Sequence, residues 1–141
     1  MLGKKTKGRK RHLLVDTMGF VIEALVHTAG IQDRDGGRFL VNKAKTNGAS
    51  FIKGYADGGY AGKFLEFTKD TWNVDFEVVK RNELHKFVVL PKRWIVERTN
   101  SWIIRYRRLA KDFERFSKTV RSWIFLAMTR LMLKRLDKIY T

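Results

Sequence analysis

The chain contains no cysteine, which excludes disulfides and thiolate metal sites and leaves carboxylate, imidazole and carbonyl groups as metal ligands. Any metal it binds is therefore expected to be a hard cation. It has a single proline, Pro91, no low-complexity linker and no internal repeat. Long apolar runs are missing too. The stretch from Trp123 to Met128 is far shorter than the ~18 residues of a membrane span, and Arg130, Lys134 and Arg135 interrupt the residues after it. No membrane partner is expected. No charged n-region, apolar h-region and cleavage site opens the chain, so the expected location is cytoplasmic. At 141 residues, 44% of them hydrophobic, one real core fits and two full domains do not.

Acid is scarce: 14 Asp and Glu stand against 30 Lys and Arg, for a net charge of +16. The imbalance is uneven. Residues 1–12 hold Lys4, Lys5, Lys7, Arg9, Lys10 and Arg11 with no acid, residues 13–75 hold seven bases and eight acids, and residues 76–141 hold seventeen and six. Cationic ends around a neutral middle point to a polyanionic partner, because neutralising phosphates releases counterions. Nucleic acid is the first candidate. A solvated tail or a membrane-surface patch is the alternative, but the C-terminal bases are interleaved with core-forming apolar residues and no lipidation signal is present.

Two β-type runs, His12 to Asp16 and Phe20 to Thr28, flank Thr17-Met18-Gly19 and predict an antiparallel hairpin. Asp33-Arg34-Asp35-Gly36-Gly37 reads as turn and N-cap chemistry, followed by a short helix through Phe39, Leu40, Lys43 and Ala44 to Asn47-Gly48. A third strand is expected over Phe51 to Ala56, a helix over Lys63 to Thr71 and a fourth strand over Val74 to Lys80. Beyond Val88-Val89-Leu90, Pro91 marks the entry to a helix from about Lys92 to Leu109. The last helix, from Ser117 to about Asp137, is nearly apolar all round and is expected to be buried. Alternating strands and helices after a hairpin predict an α/β or α+β sheet with packed helices. A basic arm over residues 1–12 precedes one domain over residues 13–141.

Two acids stand out within basic, apolar surroundings. Asp57 falls where a predicted strand meets Gly58-Gly59, a place where sheets present catalytic side chains. Asp-Gly is equally common turn punctuation. Glu97 lies in the predicted helix, with Arg93, Glu97, Ile104 and Arg108 on one side. A surface pair with Arg93 at i−4 would explain it as well. Together, however, the two carboxylates suit two-metal phosphoryl transfer, in which carboxylates hold two hard divalent ions about 3.5–4 Å apart. Trp94, Trp102 and Trp123 follow apolar helical patterns and read as core. His12, His27 and His85 fit no ligand pattern, and none is assigned to a metal.

Four blocks carry a resemblance: Gly8-Arg9-Lys10-Arg11-His12-Leu13-Leu14-Val15-Asp16-Thr17; Ala29-Gly30-Ile31-Gln32-Asp33-Arg34-Asp35; Ala56-Asp57-Gly58-Gly59-Tyr60-Ala61-Gly62; and Val96-Glu97-Arg98-Thr99 with Trp102 and Arg105 to Leu109. In this order and spacing the chain resembles the DDE transposases of bacterial insertion sequences over nearly its whole length. The resemblance implies an α/β, ribonuclease H-like mixed sheet with flanking helices. It implies three acids that bind two Mg2+ ions, or Mn2+ in their place, for cleavage of element ends and strand transfer into target DNA.

Residue by residue, Asp57 matches the family's second catalytic Asp and Glu97 its Glu, so both are expected as catalytic and metal-binding residues. Arg93 matches the Arg four residues ahead of that Glu. Leu90 stands where the motif has Tyr, and Ile104 where it has Lys or Arg, with Arg105 one step beyond. The family's first Asp lies on a strand upstream of the Gly8–His12 block. That strand is central in the family sheet, between the hairpin and the strand ending in Asp57, so the resemblance implies a sheet whose first strand is missing and which is left as two pieces with unpaired edges. Asp16 at a hairpin turn is a poor substitute for the missing Asp.

The chain is therefore expected to be the C-terminal part of a DDE transposase, incomplete alone, with oligomers forming on DNA. Either an N-terminal companion segment is supplied separately or the chain is a decayed fragment, and the sequence does not choose between these. The alternative is a non-catalytic basic DNA-binding remnant or module. In either case Lys4, Lys5, Lys7, Arg9, Lys10, Arg11, Arg93, Arg98, Arg105 and Arg108 are the expected DNA contacts.

Overall fold

The computed structural model describes residues 8–60, 62–79, 91–111 and 114–140, with Arg34 and residues 91–94 described by their backbone alone. The stretch Val88-Val89-Leu90 lies outside the described residues. Strands β1 (Arg9–Val15) and β2 (Val21–Thr28) form the expected antiparallel hairpin. Asp16 fixes the turn: its Oδ1 accepts the Met18 and Phe20 N–H groups at 2.9 and 3.0 Å. Gly19 supplies the left-handed conformation there, at φ +88°. The first strand starts at Arg9 rather than His12, so the last residues of the expected basic arm belong to the sheet.

Helix α1 (Asp33–Thr46) begins earlier than the sequence predicts. Gly36 and Gly37 are helical rather than part of a turn, although glycine disfavours helix by about 1 kcal/mol per residue relative to Ala. The compensation is tertiary. A Cβ at Gly36 would sit 2.6 Å from both His12 Nε2 and His27 Nε2, and one at Gly37 would sit 2.6 Å from the Tyr60 ring.

Strand β3 (Lys53–Asp57) and strand β4 (Asp75–Val79) pair in parallel, joined through a 3-10 turn (Gly58–Tyr60) and helix α2 (Lys63–Trp72). The αL conformation of Asn73 ends α2 and turns the chain into β4. Among the described residues, β1–β2 and β3–β4 are two separate two-stranded sheets. The α/β class is as expected, and so is the division of the strands into two sheet pieces.

Helix α3 (Pro91–Ile103) stops short of the expected Leu109. The chain breaks at Ile104 to Tyr106 and resumes as the short helix α4 (Arg107–Ala110). The break lets Ile103 and Leu109, each only 1% exposed, enter one core. It also separates Arg108 from the face of α3 that carries Glu97, contrary to the continuous helix expected.

Helix α5 (Ser117–Tyr140) packs on β2 through Val120, Ile124 and Ala127, which join Ala24, Val26, Ile103 and Leu109 in the main core. The expectation that α5 is buried holds only for one face of its first half: Val120, Ile124, Ala127 and Met128 are buried, whereas Leu126 and residues 132–140 are exposed. At about 1.5 Å per residue the helix is roughly 36 Å long and outruns the sheet beneath it. Leu40, Val41, Ala44, Phe64 and Val74 are also buried, where α1 packs on α2 and α2 on β4. No helix among the described residues is long and apolar enough to cross a membrane.

Candidate active site

Asp57 is the last residue of β3, and its exposed carboxylate accepts the Gly59 N–H at 3.0 Å. Glu97 is exposed on α3. The two residues after it anchor the helix: Arg98 donates to the Met18 carbonyl at 2.8 Å, and Thr99 Oγ1 to the Gly19 carbonyl at 2.5 Å. Thr99 is fully buried. Helix α3 is thus tied to the hairpin turn immediately beside Glu97, and Arg98, expected as a DNA contact, makes that tie.

Asp57 and Glu97 line one cavity of about 280 Å3. Its walls include Arg11, His12, Leu13 and Leu14 of β1 and Tyr55, Ala56 and Asp57 of β3, with Val96 and Asn100 of α3. Successive strand side chains point to opposite faces. Runs of consecutive residues from both strands therefore mean that strand edges, not a single sheet face, border the cavity. Helix α3 contacts both β1 and β3.

A third acid lies nearby. A Cβ placed at Gly59 would be 2.9 Å from Asp33 Oδ2 and 3.2 Å from Asp57 Oδ1, so the two carboxylates flank that glycine. Asp33 is held by Lys10, whose ammonium lies 3.0 Å from Asp33 Oδ1 and 3.2 Å from the Ile31 carbonyl. Asp16, bound within its own turn, plays no part here.

Beside the cavity the structure joins residues that the sequence left apart. His12 Nδ1 meets the Tyr60 hydroxyl, His12 Nε2 lies 2.5 Å from His27 Nε2, and His27 Nδ1 lies 2.7 Å from the Thr28 carbonyl. Burial lowers the His12 imidazole to about 4, with His27 and Lys10 adding to the effect and Asp33 and Asp57 opposing it. Burial, then Asp33 and Asp57, raise the Tyr60 phenol. The signal for this cluster was in the hairpin register. His12 pairs with Leu25, so His27, two residues on, is its diagonal neighbour on the same face.

The expected DNA contacts divide. Lys4, Lys5 and Lys7 lie outside the described residues, as does the Arg93 side chain. Arg9 donates to the Glu114 carbonyl at 2.7 Å and to that of Arg115, and Arg11 donates to the Leu109 carbonyl at 2.7 Å. Arg9, Lys10 and Arg11 therefore tie β1 to the segments around it. Arg108 lies 3.4 Å from Glu114.

Arg105 is exposed and borders a groove of about 470 Å3 with Phe20, Trp102, Leu131, Lys134, Arg135, Asp137 and Lys138. Arg135 stacks on both Phe20 and Trp102, at 5.5 and 5.3 Å from the ring centres. The α5 bases were not anticipated as a binding surface, because the sequence pattern predicts a buried helix.

Two exposed carboxylates on one cavity are suited to a hard divalent ion, but among the described residues no group of three or more His, Asp or Glu could hold one. The donor set therefore fits the expected metal in chemistry and falls short of it in number. Neither a curated protein nor a solved structure matches the chain. The family model of the transposase DDE domain matches residues 3–132, and the chain belongs to that family.

Proposed function

We propose that this chain supplies the second and third carboxylates, Asp57 and Glu97, of a metal-dependent DNA cleavage and strand-transfer site, and that an extended companion segment occupies the cavity between β1 and β3. The observation that carries this reading is the cavity itself, bordered by two strand edges that share no hydrogen bonds and by both carboxylates. Among the described residues no strand pairs with either edge, and such edges are templates for an added strand. A strand between them would unite the two sheets into the ribonuclease H-like arrangement and bring a further carboxylate beside Asp57.

In the complete site Asp57 and Glu97 would hold Mg2+, or Mn2+, in a pair. Two such ions supply an activated water or 3′-hydroxyl on one side and stabilisation of the leaving oxygen on the other. The chain's own groups hold the geometry: Arg98 and Thr99 fix the helix that bears Glu97, and the Gly59 N–H orients the Asp57 carboxylate. DNA is the substrate, element ends first and target DNA second, with oligomers assembling on it. The experiment is Mg2+-dependent nicking of an element end by the chain supplemented with a peptide of the family's first strand. Nicking that is lost in Asp57→Ala and in Glu97→Ala supports the reading, and nicking indifferent to both substitutions removes it.

The groove of Arg105, Lys134, Arg135 and Lys138 favours a second reading, a basic DNA-binding module without catalysis. It predicts binding that is indifferent to Mg2+ and to both acids. The log–log salt slope should become shallower by about 2 when Lys134 and Lys138 are both changed to Ala.

A further inference from the structure

The cluster of His12, His27 and Tyr60 has a direction that its hydrogen bonds dictate. The Thr28 carbonyl can only accept, so His27 Nδ1 carries a proton and donates to it. In a neutral His27 the Nε2 is then a bare acceptor. The two Nε2 atoms, 2.5 Å apart, share one proton, which must be the one on His12. That leaves His12 Nδ1 bare, and the Tyr60 hydroxyl donates to it. Every donor in this chain meets an acceptor, from Tyr60 through His12 and His27 to the backbone of β2. Burial, with His12 only 4% exposed, keeps that ring neutral.

The sequence gives up helix propensity to accommodate the cluster. Gly36 and Gly37 stand in α1 where any Cβ would strike the His12–His27 contact and the Tyr60 ring. Tyr60 ends the 3-10 turn that begins next to Asp57, and the Gly59 N–H of that turn holds the Asp57 carboxylate. The cluster therefore ties the Asp57 turn to the β1–β2 hairpin away from its turn. The same hairpin, at its turn, holds α3 beside Glu97 through Arg98 and Thr99.

We propose that His12, His27 and Tyr60 are positioning residues, a one-directional hydrogen-bond relay that makes the hairpin the common frame for Asp57 and Glu97 and so sets how the two carboxylates face each other. The catalytic meaning of that frame rests on the reading under Proposed function. The relay itself does not.

The test uses the whole chain, labelled with 15N, without metal or DNA. Long-range 1H–15N spectra should show His12 as the Nε2–H tautomer and His27 as the Nδ1–H tautomer. Tyr60→Phe keeps the ring against Phe64 and removes only the hydroxyl. It should move the His12 Nδ1 resonance and speed exchange of the Gly59 amide about tenfold, the scale of one net hydrogen bond, while the chain stays folded with a thermal midpoint only a few degrees lower. His12 found as the Nδ1–H tautomer, or Gly59 exchange unaltered by Tyr60→Phe, would overturn the proposal. In the supplemented nicking reaction Tyr60→Phe should lower kcat about 10- to 100-fold at unchanged KM for DNA. Nicking unaffected by Asp57→Asn, beside the tautomers above, would remove the catalytic reading while leaving the relay supported.

Discussion

Burying an imidazole beside a second imidazole makes His12 a source of acid sensitivity. Its value is lowered from 6.5 to about 4 in the folded chain. Between those values the unfolded chain takes up a proton that the folded chain refuses. The stability His12 contributes is therefore fully present above about 6.5 and is lost as the pH falls toward 4. The urea midpoint is expected to decline across that window by an amount equivalent to roughly 2–3 kcal/mol, and His12→Gln should flatten the decline. A flat wild-type profile from pH 6.5 to 4.5 would contradict it.

Gly36 gives a second prediction at this scale, because propensity and packing disagree in sign. Replacing it by Ala gains about 1 kcal/mol of helix preference. The new Cβ would lie 2.6 Å from two ring nitrogens that cannot retreat without breaking the relay, an overpacking cost of about 1–3 kcal/mol. Gly36→Ala should destabilise the chain to urea, and stabilisation would refute the close approach. The role of these glycines was not legible in the sequence, where Asp33 to Gly37 carries the local marks of a turn. What decides their conformation lies on another strand and in the turn after β3.

At the scale of elements, one buried ion pair fastens three of them. Glu23 of β2 is 3% exposed and lies 2.6 Å from the Arg121 guanidinium of α5, while the Asn47 amide at the end of α1 donates to its other oxygen at 3.0 Å. Burial on its own would raise this carboxyl. The Arg121, Ala24 and Asn47 hydrogen bonds outweigh it and hold the group below its usual value. Its contribution is thus present above about 4.5 and is lost at lower pH, below most of the His12 window. Arg121→Ala leaves the carboxylate buried without its cation and should cost about 3 kcal/mol in urea denaturation. A loss under 1 kcal/mol would mean that water replaces the guanidinium.

The elements themselves were read with uneven success, for physical reasons. Alternation of Leu, Val and Ile around Thr17-Met18-Gly19 made the hairpin plain, because strand period and turn chemistry agree locally. The end of α3 was misread because nothing local to Ile104, Arg105 and Tyr106 forbids helix. The break serves the packing of Ile103 and Leu109. Helix α5 was read as buried because apolar content alone does not show where the supporting sheet ends. Leu133, Leu136 and Ile139 extend past it into solvent.

For the whole molecule, the central feature is that the described strands form two small separate sheets with one cavity beside both. The candidate acids were legible from their motif, since Asp57 ends a strand before Gly58-Gly59 and Glu97 precedes Arg98-Thr99. Their meeting at one cavity required the fold. The hairpin anchors α3 at its turn and the 3-10 turn through His12, so both elements that carry the candidate acids are tied to one frame. The most direct test is calorimetric titration of Mn2+ or Mg2+ into the chain, alone and with a peptide of the family's first strand, comparing wild type with Asp57→Ala. Binding that arises only with the peptide and vanishes in Asp57→Ala is the predicted result. Absence of binding in every combination would contradict the split site and leave a DNA-binding module.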